Sequence, residues 1–75
     1  MNIYYLNLSK QYSNGCNYEI HKYSCNFCNP QKFNFVKLGL FNEDLGALHY
    51  ARISYPQFAV DIDGCKYCCK SIHKE

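Results

Sequence analysis

The chain opens on a run of aromatic, β-branched and leucine residues interrupted by one asparagine, IYYLNL, which predicts a strand over Ile3–Leu8. The polar SKQYSNG ends it, and Ser13, Asn14 and Gly15 signal a turn in which glycine can take a positive φ. Asn17–His21 reads as a second strand with Tyr18 and Ile20 on one face and Glu19 and His21 on the other. KYSCNFCNPQ, with Pro30 near its end, reads as a loop. Lys32–Phe41 then alternates for part of its length, placing Phe33, Phe35 and Lys37 on one side and Asn34, Val36 and Leu38 on the other, which predicts a third strand.

Past Phe41 the period changes. Asn42 is a suitable N-cap, Glu43 and Asp44 place negative charge in a first helical turn, and LGALHYARISY runs to Pro56, so a helix is expected from Glu43 to Ser54 or Tyr55. At 100° per residue Leu45, Leu48, Ala51 and Tyr55 share a side with Ala47 at its margin, while Gly46, Tyr50 and Ile53 fall mostly opposite. The small Ala47 and Ala51 allow close approach to a sheet. QFAVDI after Pro56 reads as a short extended segment, Asp63 and Gly64 as a turn, and CKYCCKSIHKE as a tight loop leading into one or two helical turns. The order predicts an α+β fold: one small domain over residues 1–75, a short antiparallel sheet of about three strands, one main helix and a metal-stapled, cysteine-rich C-terminus.

Length makes a staple expected, whether a metal, disulfides or a partner chain. A chain of 75 residues buries only about 60% of the surface it exposes when unfolded, so its stability is marginal without help. Six cysteines are frequent enough in so short a chain to supply that help. MNIYYLNLSK has neither a basic start followed by an apolar run nor a small-residue cleavage site, so the expected compartment is the cytoplasm, where thiols stay reduced and metal ligation is favoured over disulfides. No apolar stretch approaches the roughly 18 residues of a membrane span. A net charge of +2 and a pI of about 8.2 are too mild to mark a nucleic-acid footprint alone, leaving an unknown macromolecular partner, protein or nucleic acid.

Two pairs have metal-ligand spacing, Cys25 with Cys28 in CNFC and Cys65 with Cys68 in CKYC. His21, four positions before Cys25, offers a second tetrahedron from His21, Cys25, Cys65 and Cys68, equally acceptable to zinc. Either set ties the middle of the chain to its end. Cys16, beside Gly15, reads as a small buried hydrophobe, Cys69 as a packed or partly exposed thiol, His49 as an exposed helical residue and His73 as a solvated histidine or a ligand paired with Cys69 at helical spacing.

These residues carry two resemblances. Tyr4 and Tyr5, SNG at 13–15, HKYSC at 21–25, Pro30, LGLF at 38–41, Ala47, Ala51, Tyr55 and DGCKYCC at 63–69 resemble a set of small bacterial proteins with an HKxxC stretch, an LGxF strand end and a GCxYCC finish, to which no activity is attached. More distantly, HKYSC, a strand, an alanine-bearing helix and CKYC are similar to the zinc-binding N-terminal domain of Ada-type DNA alkylation-repair regulators. That likeness implies His21, Cys25, Cys65 and Cys68 as zinc ligands. In the repair domain the first ligand is a thiolate that accepts a methyl group; His21 stands there instead, which speaks for the metal and against the enzyme. Cys28 departs from both patterns, where a bulky apolar residue is expected, and keeps the four-cysteine set open.

The expectation is therefore a structural zinc module that mediates protein or nucleic-acid interaction without catalysis. Two other classes stand beside it, a disulfide-held protein without metal and a thiol redox protein using Cys65 and Cys68 as attacking and resolving thiols.

Overall fold

A computed structural model describes residues 1–9, 17–32 and 34–73. The expected turn at Ser13–Gly15, Cys16 and the side assigned to Phe33 lie outside the described residues. The fold is α+β: strands β1 (Asn2–Asn7), β2 (Tyr18–Lys22) and β3 (Phe35–Phe41), helix α1 (Asp44–Ser54), a 3₁₀ segment over Pro56–Asp61, strand β4 (Ile62–Gly64) and a 3₁₀ turn over Lys70–Ile72. The sheet order is β3-β1-β2-β4. Strand β1 pairs antiparallel with both β2 and β3, whereas β4 pairs parallel with β2.

The fourth strand corrects the expected three-stranded antiparallel sheet. QFAVDI is not extended: residues up to Asp61 form the 3₁₀ segment, and Asp63 and Gly64, expected as a turn, lie in β4. A parallel neighbour of β2 requires a crossover, which here contains β3 and α1. The reason a glycine ends this strand is steric. A Cβ on Gly64 would press against Cγ1 of Ile72 and come 2.8 Å from the Cys69 carbonyl oxygen, because the Lys70–Ile72 turn folds directly onto it. Gly64→Ala is expected to cost at least about 1–3 kcal/mol, the usual penalty for overpacking, read as a lowered urea midpoint.

One sheet face receives the helix. Tyr4 and Leu6 of β1, Ile20 of β2 and Ile62 of β4 meet Ala47, Leu48 and Ala51, and all of them are buried, joined by Leu38, Cys69 and Ile72. The β1–β3 register shifts between Tyr4 and Tyr5, opposite Gly39 and Lys37, and Gly39 takes φ +123°, a conformation that glycine adopts freely.

The buried helical stripe differs from the expected one. Asp44, Leu48, Ala51 and Tyr55 lie within roughly 40° of a common line, whereas Leu45 is roughly 100° from Asp44 and is exposed. Asp44 thus occupies an inward position, and the hydroxyl of the buried Tyr4 donates to its Oδ1 at 2.6 Å, with Ser71 Oγ donating to Oδ2 at 2.9 Å and Lys22 Nζ 3.8 Å away. The helix accordingly starts one residue later than expected, with Glu43 rather than Asn42 at its N-cap. Burial, and then Asp44, hold the Tyr4 hydroxyl well above its ordinary value of 10.0. A raised folded-state value gives stability that is intact below about pH 10 and lost above it, as tyrosine in the unfolded chain ionises first. Tyr4→Phe is expected to cost about 1.5 kcal/mol at neutral pH, the low end for a hydrogen bond to a charged group. The variant should also lose less stability than the native chain in denaturant titrations above pH 10.

Candidate metal centre

The opposite sheet face is set by the pleat. Tyr5 is registered with His21 and with Lys37, Asn7 with Phe35, and Glu19 with Asp63, so these side chains share the face away from α1. Cys65 follows Gly64, and its N–H donates to the Ile20 carbonyl at 3.0 Å, extending the β2–β4 ladder by one step. Alternation then turns the Cys65 side chain to the His21 face. The fourth strand is thus the element that brings the C-terminal cysteines to the histidine.

Cys25 arrives by a turn out of β2, with its N–H on the Lys22 carbonyl at 2.9 Å and the Cys28 N–H on its own carbonyl at 3.0 Å. Cys68 arrives by the turn after Cys65, where the Cys69 N–H donates to the Cys65 carbonyl at 2.8 Å. One ligand atom from each of His21, Cys25, Cys65 and Cys68 lies within 4.8 Å of the other three. The sulfurs of Cys25 and Cys65 are 4.0 Å apart, close to the edge of about 3.8 Å of a tetrahedron with thiolates 2.3 Å from zinc. All five cysteines among the described residues are free.

His21 is 2% exposed, although it lies on the face that α1 leaves uncovered; the ring of Phe35, 6.0 Å away, stands beside it. Its Nε2 is 3.6 Å from Glu19 Oε1, while Nδ1 is buried and has no hydrogen-bond partner among the described residues. An orphaned buried nitrogen is costly, and a metal ion would satisfy it, with Glu19 orienting the ring from the other side. Burial lowers the imidazole to about 4, so it stays in the neutral, ligating form.

The thiols sit in a conflicting environment. Burial pushes Cys65 up to about 12 and Cys28 up to about 11, and raises Cys25; Cys68 is raised by the hydrogen bond with Cys69 and then by burial. Backbone N–H groups nevertheless converge on three of the sulfurs: Phe27 on Cys25, Tyr67 and Cys68 on Cys65, and Lys22 on Cys68, the last at 3.3 Å. Such donors favour a thiolate while burial opposes it. A cation among the sulfurs would resolve the conflict, since a coordinating thiol is deprotonated outright.

The other candidates go elsewhere. Cys28 is partly buried near Cys25 and Cys68 but outside the four-residue group. Cys69 is fully buried in the core beneath α1, its sulfur 3.7 Å from that of Cys68. His73 is only partly exposed, and its Nδ1 lies 2.8 Å from the Gly64 carbonyl oxygen and 3.6 Å from Asp63 Oδ2; among the described residues a single 3₁₀ turn follows Cys69 in place of the expected helical turns. The sequence signals Glu19 only through its alternation with His21. The backbone donors to sulfur leave no trace in residue type.

The fold and site define a small, cysteine-rich α+β protein with a His/Cys group positioned to hold a metal ion. No protein-family model matches the chain, and no curated protein or solved structure is similar enough to count as a match. No helix among the described residues is long and apolar enough to cross a membrane.

Proposed function

We propose that the protein is a zinc-stapled binding module, with His21, Cys25, Cys65 and Cys68 as the ligands and no chemistry at the metal. The observation that carries this reading is the convergence of four donor atoms within 4.8 Å, one of them offered by a histidine whose buried Nδ1 has no partner among the described residues. One imidazole and three thiolates form a donor set that suits zinc. Four protein donors complete a tetrahedron, and closed sites of this kind are structural. The ion would supply a crosslink between the β2 turn and the end of β4.

The thiol environment favours this reading over redox chemistry. Reactive cysteines have lowered pKa values, whereas Cys65 is pushed up to about 12. The 4.0 Å between the Cys25 and Cys65 sulfurs likewise suits ligands of one ion better than a bond of about 2.05 Å.

Cobalt substitution tests the donor set. Co²⁺-loaded protein is expected to show the intense visible bands of a tetrahedral ion and thiolate-to-cobalt charge transfer of three-sulfur intensity. Charge transfer of four-sulfur intensity, unchanged in His21→Ala, would transfer the fourth position to Cys28. A weak octahedral spectrum would remove the site.

A further inference from the structure

Each ligand loop also carries an exposed aromatic ring. Phe27 in CNFC and Tyr67 in CKYC are 59% and 60% exposed, yet they stack on one another with centroids 5.1 Å apart and an interplanar angle of 28°. Lys66 Nζ lies 5.2 Å from the Tyr67 ring centroid. Tyr23, two residues before Cys25, is also exposed, and its ring centroid is 6.1 Å from that of Tyr5. The β1–β2 sheet and the metal loops therefore present rings to the surface that the core does not use.

The stacked pair is the shared wall of two hollows. The larger, of about 480 Å³, lies over the His21 face and is lined also by Lys32, Lys66, Asn29 and Asn34; the smaller, of about 300 Å³, is lined also by Ser24 and Asn26. Among the described residues, lysines outnumber carboxylates around the larger hollow, where Glu19 stands against Lys32 and Lys66, and no lysine, arginine or carboxylate lines the smaller. Aromatic faces, amides and flanking ammonium groups are what successive bases and phosphates of a single strand require.

We propose that this ridge binds single-stranded nucleic acid, with neighbouring bases entering the two hollows against Phe27 and Tyr67 while Lys32 and Lys66 meet phosphates. A base-paired duplex hides the base faces that the rings need. A lone nucleotide fills one hollow, whereas two hollows on either side of one aromatic wall suit consecutive units of a polymer. The proposal rests on the zinc reading, because the ion would hold the two loops, and so the ridge, in one arrangement before binding.

The test is fluorescence anisotropy of a labelled 12-nucleotide oligouridylate with the full chain, whose zinc content and circular dichroism are measured on the same samples. Binding is expected to weaken with salt at a log–log slope of about −1.4 for two phosphate contacts, falling to about −0.7 in Lys66→Gln. Phe27→Ala and Tyr67→Ala, both at exposed positions, should each weaken it roughly tenfold, and Phe27→Tyr and Tyr67→Phe should restore it. Absence of binding by folded, zinc-loaded protein at low salt would overturn the proposal while leaving the zinc site intact. So would unchanged affinity in a folded Phe27→Ala/Tyr67→Ala chain, or equal affinity for uridine monophosphate or duplex RNA. A folded, metal-free chain that binds through the same two rings would support the ridge and overturn the zinc reading alone.

Discussion

Stripping the metal from the native chain is expected to unfold it. The proposed ion joins Cys25 to Cys65, 40 positions apart, and with them β2 to the end of β4. Structural zinc supplies about 10–16 kcal/mol of apparent folding free energy near neutral pH, as much as the roughly 5–15 kcal/mol total stability of an ordinary domain. A chain of 75 residues has little else to offset that loss. Without the ion, His21 Nδ1 has no partner among the described residues, and Cys65 is buried beside the partly buried Cys25 and Cys68 in a setting where ionisation is disfavoured. Far-UV circular dichroism should therefore collapse when a strong chelator is added, and return on addition of stoichiometric zinc. A spectrum indifferent to the chelator would mean that the core under α1 holds the fold alone.

Substitution around the site should give three separate levels of effect. Cys25→Ser, Cys65→Ser, Cys68→Ser and His21→Ala each remove a proposed ligand and should weaken zinc binding by more than the 10- to 100-fold that is typical of losing an outer partner. Glu19→Gln leaves the donors in place but alters the group 3.6 Å from His21 Nε2, and should fall within that 10- to 100-fold range. Cys28→Ser, next to the site but outside the group, should leave affinity and stoichiometry unchanged. Competition with a chromogenic chelator measures all three. A Cys28→Ser chain that loses the metal while His21→Ala retains it would exchange the two residues' roles.

How far the sequence anticipated this site depends on the range of the interaction concerned. The i, i+2 alternation that puts Glu19 and His21 on one face and Tyr18 and Ile20 on the other is a local property, and β2 keeps it. The helix was legible from its period and from Pro56, and the ligand spacings from covalent reach. What was not legible depended on contacts between distant residues. Asp63 and Gly64 have turn chemistry, and only the parallel pairing with β2 makes them a strand. Leu45 yields its expected inward place because Asp44, held by Tyr4, takes the centre of the stripe. Cys28 could not be separated from the ligand set by type or spacing, whereas Cys69 already reads as a packed or partly exposed thiol. The Cys65 N–H on the Ile20 carbonyl extends the β4 ladder and turns Cys65 to the His21 face, while Cys69 lies in the core.

Native mass spectrometry of the purified chain, before and after chelation, bears most directly on the metal staple. One zinc ion per chain, an intact mass with every thiol of the site free of disulfide, and a shift to an expanded charge-state distribution on metal removal are the predicted results. A metal-free chain with a compact, chelator-insensitive charge distribution would contradict the account.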